Sequence, residues 1–504
     1  MSNRGSSVVV ISGGTACNHI ARAFHDSVTN DVCYILGISD NGGSSSELLR
    51  VLGGPSIGDL RSRLTRLIDI AHSERSSPER IAMRDLLSYR LPADASEQEV
   101  KDEWISIVEG RHELWKPISN EKKEAIRGFL TSFHFEVLKR AHKRFNFRNG
   151  SIGNFFLTGA RLFFGSLEAA LFLFSAITGI SERTTVVPVI NTNHTATIAA
   201  KLMNGDTLAG QNEISHPPSK KNGGYHNGVR PATPGCRWTR PNPIDAFSHL
   251  ALDNEDDQAP LSPDVGGSSA NLFFSKDEVH EKLSSRIERL YYINQYGQEI
   301  YPFPNPKVIS HMSTKGTLIY SIGSLYTSIV PCLILRDVGN SIAHSTTLKN
   351  KILLLNGSND RETDGYTAMD FINTITAALN QSRNIDARRA FYQNFADGSI
   401  ENNVHHLTAP GSNTTSLLSE PPSLAGTPPH HYPPFPDHQF TPDPPSAFIT
   451  HVIYLKNSAV HVDVKAIESN NIRCIPIRGV ESSNGLPVYD EFVLSETIRD
   501  IIQE

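Results

Sequence analysis

Residues 8–16 read Val-Val-Val-Ile-Ser-Gly-Gly-Thr-Ala, residues 35–47 read Ile-Leu-Gly-Ile-Ser-Asp-Asn-Gly-Gly-Ser-Ser-Ser-Glu, and residues 53–61 read Gly-Gly-Pro-Ser-Ile-Gly-Asp-Leu-Arg. The first two stretches are apolar runs that end abruptly in Gly/Ser loops, and the second loop carries an acidic residue. In an open α/β sheet, the loops at the carboxyl ends of the strands form the ligand crevice. Paired glycines let the backbone approach a phosphate, and a following helix N-terminus supplies free N–H groups. This part of the chain therefore predicts a nucleotide site.

The bulk properties of the 504-residue chain are those of an ordinary cytoplasmic protein. Hydrophobic residues make up 38% of the sequence, charged residues 20%, and the net charge of −6 gives no reason to expect nucleic-acid binding. Five scattered cysteines without a C-x-x-C pair favour a reducing compartment and argue against a structural zinc site. Because no apolar run approaches 18 residues, we expect no membrane association.

The alternation of strand and helix patterns predicts an α/β fold, a Rossmann-like, doubly wound and mainly parallel sheet. An Asn-Gly pair at 204–205 predicts a hairpin between residues 196–202 and 207–210, and 290–294 is a further strand pattern. The sheet strands are expected at residues 8–11, 33–39, 185–190, 318–322, 352–355, 448–455 and 472–476.

The helical patterns follow the apolar spacing. Residues 17–27 predict a helix after the first strand, residues 155–178 one long apolar helix, and 368–379 and 491–502 two later helices. The helix after Asp59 carries an apolar stripe, and Arg61, Arg63 and Arg66 lie outside it. The simpler interpretation is that these three arginines lie on a solvated face. Arg61 is the exception of interest, since it lies in the first turn beside the phosphate loop.

The domain organisation predicted from composition is one core interrupted by insertions. Its N-terminal part spans 1–210 with a helical insertion at 78–146, and 211–282 is a low-complexity insertion. The C-terminal part of the core spans 283–395, a Pro-rich segment at 396–446 is a second disordered insertion, and 447–504 supplies the closing strands and helix.

Local chemistry leaves several roles open. Asp40 or Asp59 could bind Mg²⁺ through carboxylate oxygens, although Asp59 fits a plain helix cap equally well. Asn154 follows a glycine-bearing turn, which predicts either a site residue or a simple capping turn. The dinucleotide fingerprint, the phosphate-binding P-loop and the hydrolase nucleophile elbow are all absent from the sequence.

Six blocks, in order, resemble the family that groups the 2-phospho-L-lactate transferases (CofD) with the YvcK-type gluconeogenesis factors. They cover most of residues 8–210 and 285–380, and Ala16 replaces the glycine usual at the end of the first block. The blocks are residues 11–15, 40–45, 55–61, 153–154, 322–328 and 362–366.

This resemblance implies a Rossmann-like core that binds a nucleotide diphosphate conjugate, either GDP- or UDP-linked, and it suggests a homodimer. In the transferase branch a phospholactyl group passes from a guanosine diphosphate carrier to a deazaflavin hydroxyl with Mg²⁺. The block at 40–45 looks like the YvcK branch, so the alternative is a non-catalytic UDP-sugar-binding regulator of carbon metabolism or cell-wall supply.

The site residues expected from the motifs and the resemblance fall into two groups. Asp40 and Asp59 are the catalytic candidates, and Asp40 is also the expected metal ligand. The nucleotide contacts are expected from Gly13, Gly14, Thr15, Asn41, Gly42, Gly43, Ser44, Arg61, Asn154, Gly323, Ser324 and Thr327.

Overall fold

Seven parallel strands form the main sheet of the computed structural model, which describes residues 7–25, 29, 31–39, 42, 45–70, 77–140, 142–215, 282–294, 296–396, 434–482 and 485–504. Their order in space is β3-β2-β1-β8-β9-β10-β11, and every neighbouring pair is parallel. The bounds are β1 Ser7–Ile11, β2 Asp31–Leu36, β3 Thr184–Pro188, β8 Thr317–Tyr320, β9 Asn350–Leu354, β10 His451–Leu455 and β11 Arg473–Ile477.

This strand order confirms the expected doubly wound sheet. The chain builds outward from β1 through β2 to β3, then returns to the other side of β1 and builds outward again from β8. The direction of winding therefore reverses between β1 and β8. Residues 8–11 of β1 are completely buried, as a central strand covered on both faces requires.

A smaller antiparallel sheet lies in the connection between β3 and β8. It has the order β5-β4-β6-β7, with the bounds β4 Thr197–Leu202, β5 Thr207–Ala209, β6 Ile287–Ile293 and β7 Glu299–Ile300. The expected hairpin is confirmed, and Gly205 takes a φ of +90° in its turn. The strand pattern at residues 290–294 forms β6 of this small sheet rather than part of the main one. A third sheet pairs β12 Gly479–Glu481 with β13 Pro487–Tyr489.

Helices cover the main sheet and form the expected inserted layer. They are α1 Thr15–Asn18, α2 Ser45–Leu52, α3 Gly58–Ile70, α4 Pro78–Ser88, α5 Glu97–Val108, α6 Asn120–Lys139, α7 Ile152–Phe164, α8 Leu167–Thr178, α9 Gln211–Ser215, α10 Pro306–Thr314, α11 Val330–Leu333, α12 Val338–Ala343, α13 Ala368–Ala396, α14 Pro445–Phe448, α15 Val464–Glu468 and α16 Glu491–Gln503. Short 3₁₀ turns lie at Ala21–Phe24, Glu113–Trp115, Arg361–Thr363 and Asp437–Gln439, and a π-helical turn lies at Leu325–Ile329.

An aromatic cluster fastens the inserted helices α5 and α6 to α7. The Trp104 ring centroid lies 5.2 Å from that of Phe155 and 5.5 Å from that of Phe147, and the rings of Phe133 and Phe155 stack at 4.5 Å. Trp104, Phe133 and Phe155 are at most 1% exposed. Because α7 itself begins at the predicted site, this cluster makes the inserted layer a rigid support for one side of it.

Two helix predictions in the N-terminal half of the chain were wrong in length. The helix expected from residue 17 is only the four-residue α1 followed by a 3₁₀ turn, because Arg63 and Arg66 of α3 donate to the carbonyls of Cys17 and Asn18. The long helix expected at 155–178 is broken into α7 and α8 at Gly165, which takes a φ of +64°.

The segment before β10 differs in part from the sequence expectation. Helix α13 runs to residue 396 instead of ending near 379, since no Gly or Pro interrupts it. Residues 434–446, assigned by composition to the second insertion, lie against α13, where the Asn380 amide bonds both backbone groups of Asp443. Most of both low-complexity insertions, 216–281 and 397–433, lies outside the described residues.

None of the described helices combines the length and the apolar character needed to span a membrane.

Candidate functional site

The carboxyl ends of β1 and β8 lie side by side at the point where the winding reverses. The two strands pair in register from Val8 opposite Thr317 to Ile11 opposite Tyr320. In doubly wound sheets this is the position of the ligand crevice, because the loops that follow the two strands diverge to opposite faces. The loops after these strands are residues 12–14 and 321–324, both selected from the sequence.

The two loops approach too closely for side chains. A Cβ on Gly13 would lie 2.8 Å from the Ser328 Oγ, and a Cβ on Gly323 would lie 3.2 Å from the backbone nitrogen of Gly13. Gly323 also has a φ of +153°, a conformation that disfavours any residue with a Cβ. The structure thus brings Gly13 and Gly323 together, and it adds Ser328, whose side chain faces the first loop.

Asp59 lies against the same loop. A Cβ on Gly14 would overlap the Asp59 carboxylate, so these two predicted residues are in contact. Helix α3 begins at Gly58, which places Asp59 inside the first turn rather than at the cap position. The half-buried carboxylate is therefore turned towards the loop after β1.

The loop after β2 is described only in part. Asp40, Asn41, Gly43 and Ser44 lie outside the described residues, while the Gly42 carbonyl accepts the Ser45 backbone N–H at 3.2 Å. A Cβ on Gly58 would lie 2.8 Å from the Ser45 Oγ, so α2 and α3 begin side by side. Their N-terminal N–H groups consequently meet at this edge of the sheet.

Arg61 joins the start of α3 to the start of α7. Its Nε donates to the Asn154 Oδ1 at 3.2 Å, and a Cβ on Gly153 would lie 2.9 Å from its Cγ. Asn154 is completely buried and Arg61 is 9% exposed. Two residues predicted independently for the site thus form one contact, and α7 becomes the third helix to begin there.

Two more buried arginines hold the loops themselves. The Arg63 Nη2 donates to the Ser12 Oγ at 3.2 Å and to the Gly13 carbonyl at 3.3 Å. The Arg161 Nη2 donates to the Gly53 carbonyl at 3.2 Å. The solvated face expected for the α3 arginines is therefore wrong for Arg63, and Arg61, the expected exception, is buried as well, because the β1 loop covers one side of the helix and α7 another. Arg66 is half-buried.

These three buried arginines lack a compensating acid among the described residues. No carboxylate of the described chain lies within 4.0 Å of the guanidinium of Arg61, Arg63 or Arg161. Burial and then the neighbouring Arg90 lower the pKa of Arg61 to about 10, while Asp59 opposes that shift. Burial also lowers the pKa of Arg161. An anion at the three converging helix N-termini would supply the missing charge.

The comparison with known proteins agrees with the motif order. The profile described as 2-phospho-L-lactate transferase CofD matches residues 8–415. The chain belongs to the CofD family. It is 36% identical over 483 residues to the Saccharomyces cerevisiae protein described as uncharacterized protein YNL011C, covering 93% of this chain and 94% of the yeast one.

The fold of this CofD-family protein also resembles that of a solved bacterial protein. Two crystal structures of BH3568 from Bacillus halodurans, one of them described as a member of the UPF0052 family, superimpose with TM-scores of 0.54 and 0.53 at 14% identity. Each covers 98% of this chain and 99% of the bacterial one. The likeness confirms the expected fold.

A buried acid, Glu362, was given no role by the sequence reasoning. In this CofD-family protein it is 3% exposed, and its Oε2 accepts the backbone N–H groups of Tyr326 at 2.8 Å and Thr327 at 3.2 Å. Its Oε1 accepts the hydroxyls of Thr327, at 2.6 Å, and Ser215. Burial and then the Asp360 carboxylate raise the pKa of Glu362 to about 7.

This arrangement decides how the predicted residues of the β8 loop are oriented. The Thr327 hydroxyl is bonded to Glu362 and Ser215 rather than turned to the crevice. Ser324 immediately precedes the π-helical turn and is half-buried. Ser328 in the same turn faces Gly13, and sequence reasoning passed over it because the periodicity of a π-helical turn differs from that of an α-helix.

Asn356, after β9, is a third residue that the sequence reasoning missed. Its Oδ1 accepts the Gly323 backbone N–H at 3.2 Å, and its Nδ2 donates to the Gly323 carbonyl at 2.8 Å. One amide thus satisfies both backbone groups of Gly323. The only sequence signal was its position directly after a buried strand.

The remaining predictions concern the first helix and the metal. Thr15 is the first residue of α1, directly after the loop that carries Gly13 and Gly14. Among the described residues no group of three or more His, Cys, Asp or Glu side chains is arranged to hold a metal ion. Asp59 is a described carboxylate at the crevice, and the Asp40 assignment stays a prediction.

Proposed function

We propose that this CofD-family protein binds a nucleotide diphosphate conjugate at the β1/β8 crevice and transfers its phosphorus-containing group to an acceptor hydroxyl. The activity would be 2-phospho-L-lactate transferase-like and Mg²⁺-dependent. The observation that carries the proposal is Arg61, a buried cation between the starts of α3 and α7 that pairs with no carboxylate of the described residues. Family membership supports the transferase class.

The donor capacity of Arg61 favours a phosphate ligand. A guanidinium has five N–H donors, and the protein uses the Nε–H for Asn154. The two terminal amino groups have no protein acceptor among the described residues, and their fork geometry suits phosphate oxygens. Asn154 and the packing of Gly153 fix the orientation of that fork, which lowers the entropic cost of binding.

The proposed transfer requires positioning more than a covalent nucleophile. The acceptor hydroxyl oxygen would form a bond to the phosphorus that carries the transferred group, and the phosphoanhydride bond would break. The nucleoside monophosphate would leave with the bonding electron pair, and the hydroxyl proton would pass to solvent. Arg61 and the helix N-termini would stabilise charge on the diphosphate oxygens.

A magnesium ion fits the residues present. Mg²⁺ is commonly held by one or two carboxylates together with substrate phosphates and waters. Asp59 supplies one carboxylate beside the first loop, and Asp40 is the proposed second. A cation there would neutralise charge on the diphosphate.

Calorimetric titration with GDP, UDP and inorganic pyrophosphate, each with and without Mg²⁺, tests the binding half of the proposal. We expect binding that weakens in Arg61→Met and persists in Arg66→Met, a matched change on the same helix. The transfer half is tested by incubating a guanosine-diphosphate conjugate of phospholactate with a deazaflavin and measuring nucleoside monophosphate release. Binding of UDP-sugars without release would instead support the non-catalytic regulator, and no binding of any of these ligands would refute the site.

A further inference from the structure

We propose that Glu362 is a positioning residue of the nucleotide site, which holds the π-helical turn 325–329 so that Ser328 faces Gly13. The ligand in this inference rests on the proposed function, whereas the geometry is that of the protein without a ligand. It assigns to the loop after β9 a part in shaping the crevice between β1 and β8.

The side-chain hydrogen bonds of Glu362 run to the turn after β8 and to α9. One oxygen receives two successive backbone N–H groups, those of Tyr326 and Thr327, and so caps the turn in place of the Ser324 side chain, which makes no capping bond. The other oxygen receives two hydroxyls, one from Thr327 in the turn and one from Ser215 at the end of α9. The carboxylate therefore joins the β8 loop to α9.

The turn that Glu362 holds is the one that meets the first glycine loop. Ser328 lies one residue after Thr327, and its backbone N–H bonds the Ser324 carbonyl at 3.0 Å. Because Gly13 leaves only enough room for the Ser328 hydroxyl, a small rotation of the turn would close or open the gap between the two loops. Loss of the Glu362 bonds would release this rotation.

Both oxygens of Glu362 face donors, yet the site also accommodates a neutral side chain. The two hydroxyls can reverse and accept, so a glutamine can keep the amide oxygen on the backbone N–H groups and donate to the hydroxyls. Glu362→Gln should therefore preserve the geometry and remove the charge. Glu362→Ala removes both. The ionisable groups set against Glu362 are Asp360 of its own loop and Tyr326 of the turn, and the group that faces it from α9 is the uncharged Ser215 hydroxyl.

Hydrogen exchange of the free protein tests the geometry without any ligand. In Glu362→Ala we expect the amides of Tyr326 and Thr327 to exchange about tenfold faster, because each loses its hydrogen bond to the Glu362 side chain. Glu362→Gln should exchange like the wild type. Asp364→Ala is the matched control, since this exposed residue of the same segment pairs with Lys282. Wild-type exchange in Glu362→Ala, or equal acceleration in Asp364→Ala, would overturn the proposal.

Calorimetry with GDP and UDP then tests the consequence for the site. Glu362→Ala should weaken binding about tenfold or more, whereas Glu362→Gln should bind within a few-fold of the wild type at pH 6. Wild-type affinity should fall between pH 6 and pH 8 more steeply than that of Glu362→Gln, because the wild-type carboxyl gains a negative charge there. Identical pH profiles would refute the coupling of this carboxyl to the ligand. If neither the wild type nor the variants bound either nucleotide, the proposed function would be wrong. The hydrogen-exchange result would still test whether Glu362 holds the turn. If Glu362→Ala did not fold, Ser215→Ala would test the same exchange with one donor removed.

Discussion

Replacing Arg61 by methionine should leave the protein as stable as before, or more stable, while it weakens diphosphate binding. Methionine keeps the unbranched side chain packed against Gly153 and removes the charge. Buried ionic groups usually cost several kcal/mol to remove because their partner is left behind, but no carboxylate of the described residues pairs with Arg61. Removing Arg61 should therefore not lower the free energy of unfolding, whereas removing one partner of a buried salt bridge would.

The magnitude follows from the burial of the guanidinium. A pKa lowered from 12.5 to about 10 corresponds to about 3 kcal/mol against the charged form in the folded state. The substitution also loses the bond to Asn154, which offsets about 1–2 kcal/mol of that gain. The free energy of unfolding should consequently stay level or rise by up to about 2 kcal/mol.

Binding should respond in the opposite direction. A phosphate that loses charge-assisted hydrogen bonds forfeits about 1.5–3 kcal/mol, so the Kd for GDP or UDP should rise about tenfold to a hundredfold. Denaturant unfolding followed by fluorescence of the buried Trp104 measures the first effect, and calorimetry measures the second. Arg66→Met controls for the loss of an arginine from α3, since Arg66 bonds the Asn18 carbonyl away from the crevice. A marked loss of stability with unchanged affinity would refute the idea that Arg61 is kept for an anion.

Three further outcomes follow from the structure. Gly14→Ala should destabilise the protein by about 1–3 kcal/mol and weaken nucleotide binding, because the new methyl group would overlap the Asp59 carboxylate. The control Gly37→Ala has open space around the new methyl group and should change neither property. Thermal unfolding measures the stability, and calorimetry measures the binding. Asn356→Ala should weaken nucleotide binding by at least several-fold, since it frees both backbone groups of Gly323; unaltered affinity in calorimetry would show that this loop does not touch the ligand. Burial and then the nearby Arg63 lower the pKa of His25 from 6.5 to about 4. The neutral side chain therefore contributes fully to the free energy of unfolding above pH 6.5. Up to about 3 kcal/mol of that free energy should be lost as the pH falls towards 4. In urea unfolding at a series of pH values, His25→Asn should flatten that decline, and an equal slope in both proteins would contradict it.

The strands and the loops at their carboxyl ends could be predicted because buried parallel strands are visible in the sequence as continuous apolar runs. Continuous runs such as residues 8–11 and 352–355 are required when both faces of a strand are covered, and the Gly/Ser loops mark their carboxyl ends. The hairpin at Asn204-Gly205 could also be predicted, because Asn-Gly favours the positive φ angles that a two-residue hairpin turn requires.

The buried polar residues of the site could not be predicted in the same way. The apolar stripe of α3 says which face is hydrophobic, but not that Arg61 and Arg63 would be covered by the β1 loop and by α7. Glu362 is still less visible, because its partners Tyr326 and Ser215 are 36 and 147 residues away along the chain. The break between α7 and α8 was missed for a local reason. Glycine adopts several backbone conformations, and the sequence does not show that Gly165 takes the left-handed one.

The central pairing of β1 with β8 has a consequence for how the protein is made. Ser7 and Gly316, which are hydrogen-bonded at the start of these strands, are 309 residues apart along the chain. At a translation rate of about 5–20 residues per second, β1 waits roughly 15–60 seconds on the ribosome before its partner strand is synthesised. During that interval the edge of β1 that will pair with β8 presents unpaired backbone groups beside the apolar side chains of residues 8–11, a surface that chaperones would need to cover. The crevice between the two strands is therefore created late in synthesis, and a ligand present at that moment would favour the closed sheet over misfolded pairings.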